Sequence, residues 1–170
     1  MNNILCGKLR CKMRLAFFAV LLMFFVFPVS ASMVSLTIIE TGLNSDKQSP
    51  PYSNMWEGGL MAVFFDAGHI ITNSPIGRME SKPPADISGT LEYDFREAVL
   101  GGAEYFVLGV IDYNSQRGVP ETIDVRVYKT NSRQLIYEQT FKAGGGKNSS
   151  EEYQIAVNAG KVIISQLKDL

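Results

Sequence analysis

The sequence predicts an α/β fold, specifically an α+β sandwich in which helices pack on a mixed β-sheet. Segments rich in β-branched and apolar residues alternate with segments whose apolar residues recur at helical spacing. The segments follow one another in the order β-α-β-α-β-β-β-α, so helices are interleaved with strands. Residues 105–113 are apolar for most of their length, as expected of a central strand that is covered on both faces.

The first three predicted elements lie before residue 75. Residues 34–40 (VSLTIIE) form a β-branched run that predicts a strand. Ser53 is expected to be the N-cap of a helix that ends at Gly68, a residue type suited to the position after a helix. The apolar residues that recur at helical spacing in this segment are Trp56, Leu60, Met61, Phe64 and Phe65. Residues 69–73 predict a short second strand, which Pro75 ends.

A second helix and the central strand come next. Asp86 or Ser88 is expected to cap this helix, and the pair Gly101 and Gly102 is expected to close it. The apolar face of the helix consists of Leu91, Phe95, Ala98 and Val99. The strand of residues 105–113 follows directly.

The last three predicted elements are a hairpin and a helix. Residues 122–130 and 135–141 alternate between apolar and polar side chains, and a turn that contains Asn131 joins them. Ser149 or Ser150 is expected to cap the final helix, whose first turn carries two glutamates that suit the positive end of the helix dipole. The residues of this helix expected to face the core are Ile155, Ala159, Val162, Ile163 and Leu167.

The first 31 residues predict a cleavable secretory signal peptide. Four basic residues and no acidic residue lie before an unbroken apolar run at residues 15–27. Small residues follow Pro28. Val29 and Ala31 suit the −3 and −1 positions, so cleavage is expected after Ala31. The alternative is an uncleaved membrane anchor, but a spanning helix needs about 20 apolar residues, which is more than this run contains.

The mature chain, residues 32–170, is expected to form a single periplasmic domain. Its composition excludes several classes of protein. Cys6 and Cys11 both leave with the signal peptide, so we expect neither a disulfide framework nor a thiolate metal site. Removal of four basic residues lowers the net charge from −1 to about −5, and no cluster of Lys and Arg remains. Nucleic acid and anionic membrane surfaces are therefore not expected as partners.

Three stretches of the chain have recognisable local sequence patterns. In residues 56–71 a predicted helix ends in a glycine and a predicted strand begins directly after it. In residues 97–110 the motif Leu-Gly-Gly-Ala precedes an apolar strand that contains a glycine. The third stretch is the hairpin of residues 124–141, in which Asn131 stands in for a turn glycine. Over residues 34–168 the pattern resembles a group of bacterial envelope modules that includes the amino-terminal domain of TolB, LpoB-type activators of penicillin-binding proteins and the periplasmic core of CsgG.

No arrangement of residues predicts catalysis. Asp66 and His69 form the one candidate acid–base pair, but a histidine after a helix-ending glycine is expected to support the helix end. The other carboxylates lack the spacing of a hydrolase pair. Residues 144–147 (GGGK) lack the full phosphate-loop pattern and are expected to be a flexible connector. We therefore expect no enzyme, no metal and no cofactor.

The hairpin supplies the candidate partner-binding residues. Tyr128 and Tyr137 are expected on or near its outward face, where tyrosines bury a large area at a small entropic cost, although cross-strand packing is the alternative role. Lys129 and Arg133 make the hairpin the most basic stretch of an acidic domain, which would steer an acidic partner surface to it.

These patterns and the resemblance together imply a non-enzymatic periplasmic module that binds another envelope or periplasmic protein. Two alternatives stay open. The first is a scaffold subunit of a secretion or flagellar assembly. The second is a small-ligand-binding or enzymatic envelope domain that uses Asp66 and His69.

Cleavage after Ala31 is tested on the protein isolated from its native host. Signal peptidase cuts after a small residue at the −1 position, so mass spectrometry is expected to give an amino terminus at or near Ser32. Detection of an intact Met1 on a membrane-embedded chain would contradict the signal-peptide prediction.

Overall fold

A computed structural model describes residues 31–43, 51–87, 89, 91–113 and 118–167 of the chain. The predicted signal peptide falls outside these residues except for Ala31, and so does Ser88, one of the two predicted caps of the second helix. The described part contains six strands and three helices. They are β1 (Met33–Thr41), α1 (Pro51–Asp66), β2 (Ile70–Asn73), β3 (Gly77–Arg78), α2 (Leu91–Leu100), β4 (Tyr105–Asp112), β5 (Thr122–Lys129), β6 (Gln134–Lys142) and α3 (Ser149–Leu167).

The strands form one mixed sheet in the order β2-β1-β4-β5-β6, with β3 also beside β1. β1 pairs in parallel with β2, β3 and β4, whereas β4, β5 and β6 are antiparallel neighbours. The predicted mixed sheet, the helices packed on it and the order of elements are confirmed. The sequence did not predict strand β3, because two residues are too few to show a periodic pattern.

The central strands are buried on both faces and separate two apolar layers. Helices α1 and α3 cover one face, and residues of β1, β4 and β5 that point to this face form the first layer with them. Helix α2 covers the other face, and the alternate residues of β4 form the second layer with it. Phe106, Leu108 and Val110 of β4 belong to the second layer, whereas Val107 and Ile111 belong to the first. This alternation explains why β4 reads as a continuous apolar run.

Helices α1 and α3 approach each other closely because small residues lie where they meet. A Cβ atom added to Gly59 of α1 would come within 2.6 Å of the Ala156 Cβ atom of α3. A Cβ atom added to Gly160 of α3 would come within 3.0 Å of the Val63 Cβ atom of α1. The two helices therefore form one unit over the first layer.

The polar face of β5 is covered as well, by the segment of residues 82–85. Arg126 lies on this face and is buried, and its Nη1 atom donates to the carbonyl oxygens of Pro83 (3.0 Å) and Pro84 (2.9 Å). The side chains along β5 alternate between apolar and polar, and the polar side of such a strand commonly faces solvent. Both sides are buried, because the charged side chain finds backbone carbonyls as partners instead of water.

The helix ends differ from the predicted caps in two places. Ser53 lies in the third position of α1 and is buried against the sheet, so it is not the N-cap. In α3 the cap is Asn148, whose Oδ1 atom accepts the backbone N–H of Glu151 at 3.0 Å. Asp86 lies five residues before α2 begins, so it is not the N-cap of that helix.

Three apolar residues assigned to helix core faces are exposed. They are Phe65, Val99 and Val162, of which Phe65 is 71% exposed. Each has a buried neighbour in the same helix, Phe64, Ala98 and Ile163 respectively, so it lies beside the buried face and not on it. The buried residues of α3 include the predicted Ala159 and Ile163; the full set is Glu152, Ala156, Ala159, Gly160, Ile163 and Ile164.

The central position of β4 leads to a stability prediction with a matched control. Leu108 is fully buried in the second layer, so Leu108→Ala is expected to lower the free energy of unfolding by about 2–5 kcal/mol. Leu100 at the end of α2 is 74% exposed, so Leu100→Ala is expected to change it by less than about 0.5 kcal/mol. Denaturant titration of both variants measures the difference, and equal midpoints would show that β4 is not central.

Candidate functional site

The outer edge of β6 is the long unpaired edge of the described sheet. β6 has nine residues, and among the described strands it pairs only with β5. The opposite edge is made by β2 and β3, which have four and two residues. An unpaired strand edge presents backbone N–H and C=O groups that another strand can bind. β6 is therefore the candidate interaction site.

The edge carries an irregularity near its start. Val127 of β5 lies opposite Tyr137, but the next residue, Tyr128, lies opposite Leu135, so Ile136 is an extra residue of β6. This β-bulge places both Ile136 and Tyr137 against the first layer. The regular part of the edge therefore begins at Tyr137.

Tyr128 is a core residue, which corrects the expectation that it faces outward. Only 1% of its surface is exposed, and its ring lies 6.3 Å from that of Phe106 between centroids. Its hydroxyl donates to the Ala85 carbonyl oxygen at 2.8 Å, so the covering segment satisfies the polar end of the side chain. Burial of the phenol raises its pKa. Tyr128 cannot contact a partner while this segment is in place.

Tyr137 is half-buried at the open edge. Its ring packs against the first layer, and its hydroxyl donates to Oε1 of Gln139, two residues along the same strand. Burial raises the pKa of this phenol as well. Because these two side chains point to the same face, Tyr137 and Gln139 together form a partly exposed patch along β6.

Arg133 lies in the hairpin turn and is held by α2. Its guanidinium makes a two-pronged ion pair with Glu92 (2.8 and 2.6 Å) and lies 5.1 Å from the centroid of the Phe95 ring. The hydrogen bond from Arg133 lowers the pKa of the Glu92 carboxyl. Arg133 also takes the left-handed conformation of the turn, with φ of 56°, which had been expected of Asn131.

The four predicted partner-binding residues therefore do not form one surface. Tyr128 is in the second layer, Tyr137 is on the opposite face, and Arg133 is bound to α2. Lys129 is half-buried at the end of β5. The hairpin lies at the predicted residues, but its side chains are divided between the two faces of the sheet.

Asp66 and His69 are not arranged as a catalytic pair. The Nδ1 atom of His69 is buried without a hydrogen-bond partner, so Asp66 does not orient the ring. The ring packs instead against Phe64, 6.0 Å away between centroids, and the His69 backbone N–H donates to the Phe64 carbonyl oxygen at 3.1 Å. His69 thus closes the end of α1, as a residue after a helix-ending glycine does.

A buried polar cluster lies at the carboxyl end of β1. Glu40 accepts a hydrogen bond from the Ser53 hydroxyl (2.6 Å) and pairs with Arg78 (3.0 Å). The Ser53 hydroxyl also shares a hydrogen bond of 2.7 Å with the Tyr113 hydroxyl. Burial raises the pKa of Tyr113 to about 12. A serine beside a carboxylate resembles an activated nucleophile, but Ser53 and Glu40 are both fully buried, so the cluster fixes α1 and β3 to the sheet.

The glycine-rich segment before α3 is bound to the protein's own carboxylates. Glu152 accepts the backbone N–H groups of Gly144 (2.8 Å) and Gly146 (2.9 Å), and it also accepts the Trp56 indole N–H (2.8 Å). Glu151 accepts the N–H of Lys147 at 3.0 Å. The predicted flexible connector is therefore an anchored loop, and a phosphate would find these donors already occupied.

A small cavity of about 150 Å³ lies beside this loop. Its lining comes from the first turn of α1 and the start of α3. The lining residues are Pro51, Tyr52, Met55, Gly146, Lys147, Asn148, Ser149 and Glu152. Within the described part of the chain no group of His, Cys, Asp and Glu side chains could hold a metal ion, and no described helix is long and apolar enough to cross a membrane.

Sequence reasoning missed the roles of Glu40, Arg126 and Glu152, three of the four charged residues that are buried in the described part of the chain. Glu152 had one available signal, because a buried tryptophan in a helix needs a partner for its indole N–H. The partners of Glu40 and Arg126 lie 12 to 43 residues away, so no local pattern reveals them.

Neither a protein-family model nor a curated protein matches the sequence. Solved structures do match. The PelC dodecamer from Paraburkholderia phytofirmans is 11% identical with a TM-score of 0.46, over 75% of this chain and 84% of PelC. TolB from Acinetobacter baumannii is 16% identical with a TM-score of 0.42, over 84% of this chain and 30% of TolB.

The LpoB C-terminal domain from Salmonella enterica is 15% identical with a TM-score of 0.42, over 70% of this chain and 87% of that domain. TolB and LpoB, two of the proteins named by the sequence resemblance, are thus among the solved structures similar to this chain.

The anchored loop predicts that two neighbouring glycines differ in their tolerance of a methyl group. A Cβ atom on Gly146 would lie 2.4 Å from the Glu152 backbone nitrogen, so Gly146→Ala is expected to lower the free energy of unfolding by about 1–3 kcal/mol. A Cβ atom on Gly145 would meet only the end of the Ile155 side chain at 3.6 Å, so Gly145→Ala is expected to change it by less than about 0.5 kcal/mol. Denaturant unfolding compares the two, and equal stability would contradict the anchored loop.

Proposed function

We propose that this chain is an exported, non-enzymatic domain that works in the periplasm and binds another envelope protein at the outer edge of β6. The observation that carries the proposal is the unequal exposure of the sheet. β1, β4 and β5 are almost entirely buried, whereas β6 is exposed along most of its length and has no described neighbour on its outer side. Strand edges of this kind bind extended segments of other proteins through main-chain hydrogen bonds.

The chemistry of the edge supports selective binding. Glu138, Thr140 and Lys142 lie on the face that carries α2 and are exposed, whereas Tyr137 and Phe141 are half-buried on the opposite face. The bulge at Ile136 and the charged side chains discourage general edge-to-edge aggregation. The half-buried aromatic residues still offer apolar area to a strand that fits beside them.

The absence of an enzymatic role is supported by how the buried polar groups are used. Glu40, Arg126 and Glu152 each hold one part of the fold to another. Of these three residues only Glu152 lines the cavity beside the glycine-rich loop, and its two oxygens already accept three N–H groups. A catalytic acid or base needs a free proton position facing its substrate.

Export is supported by the pattern of the first 31 residues, and no cysteine follows residue 31. Stability outside the cytoplasm then depends on packing, and the two apolar layers supply it without a disulfide. The acidic net charge of the mature chain favours a protein partner over nucleic acid.

Substitution at the edge tests the interaction. Tyr137→Ser removes the aromatic area beside β6 and is expected to weaken recovery of the partner from cross-linked envelopes at least tenfold, which corresponds to about 1.4 kcal/mol. Tyr93→Ser is the matched control, because Tyr93 is an exposed tyrosine on α2, which covers the face of the sheet opposite to the one that Tyr137 packs against. Circular dichroism confirms that both variants fold. Undiminished recovery with Tyr137→Ser, or an equal loss with Tyr93→Ser, would place the interface elsewhere.

A photo-cross-linking amino acid at Gln139 identifies the partner directly. The expected product is a covalent adduct with a second envelope protein that does not form when the same amino acid replaces Lys161, an exposed residue of α3. Adducts that form at position 161 and not at 139 would contradict the proposed edge.

A further inference from the structure

The regular part of β6 is short and nearly symmetric. It begins at Tyr137, after the bulge, and continues to the end of the strand at Lys142. Tyr137 and Phe141 lie two residues to either side of Gln139 and point to the same face, where both are half-buried. We propose that a second copy of this chain pairs antiparallel with β6, with the two-fold axis at Gln139. This inference rests on the proposed function of β6 as the interaction edge, and the second copy would occupy that edge in exchange with the envelope protein.

The side chains of the two copies match in this register. A two-fold axis at Gln139 places Tyr137 directly opposite Phe141 of the second copy, and the same pair forms again on the other side of the axis. Aromatic cross-strand pairs are among the stabilising pairs of antiparallel sheets. Each aromatic side chain already packs against the first layer of its own subunit, so the second copy covers the area that remains exposed.

The charges on the opposite face do not oppose this pairing. Glu138 would lie opposite Thr140 of the second copy, so no two like charges face each other directly. The Glu138 carboxylate is also already paired with Arg126 of its own chain, at 2.8 Å. Lys142 would extend past the regular stretch, beside the bulge of the other copy. A register centred one residue earlier would instead place two Glu138 carboxylates opposite each other, which is unfavourable.

The symmetry explains why a second copy suits this edge. A two-fold pairing uses the same edge of both subunits and leaves neither outer edge of β6 open, so the assembly closes at two copies. The paired stretch is short, and such a contact falls below the roughly 1,000 Å² typical of a stable interface. We therefore expect a reversible dimer that chemical cross-linking captures.

Cysteine scanning tests the register because the chain has only two cysteines, Cys6 and Cys11. The full chain carrying Cys6→Ser and Cys11→Ser receives a single cysteine at each position from 137 to 141 and is oxidised mildly after purification. Residues directly opposite in an antiparallel pair have Cα atoms roughly 4.5–5.5 Å apart, which suits a disulfide. Among these variants, only Gln139→Cys would place the new cysteine directly opposite the same cysteine of the second copy.

The expected result is a maximum of disulfide-linked dimer at Gln139→Cys. A residue one position away lies more than about 8 Å from its own copy, so Glu138→Cys and Thr140→Cys should give at least about fivefold less dimer. Lys161→Cys on α3 gives the background of random collision. Adding Tyr137→Ser to Gln139→Cys should reduce the yield to that background, because it removes both aromatic pairs.

A maximum at position 138 or 140 would overturn the register, and a yield at position 139 equal to that of Lys161→Cys would overturn pairing with a second copy. The outcome is separable from the proposed function. A hetero-adduct from Gln139 without a linked dimer would overturn this inference and leave the envelope partner standing. A linked dimer without any dependence of envelope recovery on Tyr137 would confirm the pairing and remove the proposed partner.

Discussion

The fold depends on burying the parallel pair β1 and β4 on both faces at once. A strand in that position has no solvent-facing side, so its residues must be apolar in both directions or must find polar partners inside the protein. β4 meets the requirement with apolar residues at nearly every position and with Gly109, where an added Cβ atom would lie 2.7 Å from the Ile38 side chain. Two separate helix layers follow directly, because each face needs its own cover.

Buried charges connect these layers to the loops. Glu40 ties α1 and β3 to the end of β1, Arg126 holds the segment of residues 82–85 across β5, and Glu152 gathers the loop before α3 around the Trp56 indole. Each carboxylate or guanidinium accepts or donates several hydrogen bonds, as a buried charged group requires. The loops are therefore fixed by side chains of the core elements, although their own composition suggests mobility.

The same arrangement decides where the protein can bind. Covering both faces of the sheet leaves its edges as the remaining places where backbone groups are open, and β2 and β3 are too short to offer a long template. β6 alone combines length, partial exposure and aromatic residues among the described strands. Its bulge limits the regular stretch, so the binding that we propose there would be selective for strands that match a short register.

The sequence by itself determined the order of elements, the double burial of β4 and the hairpin, because hydrophobic periodicity and glycine positions are local properties. Only the tertiary structure decided that Ser53 is buried in α1, that Asn148 caps α3 and that Tyr128 lies in the core while Tyr137 stays at the edge. Alternation along a strand shows that two side chains point to opposite faces, but not which of those faces another segment covers. That depends on contacts between residues far apart in the chain, such as Arg126 with Pro83, which no local pattern contains.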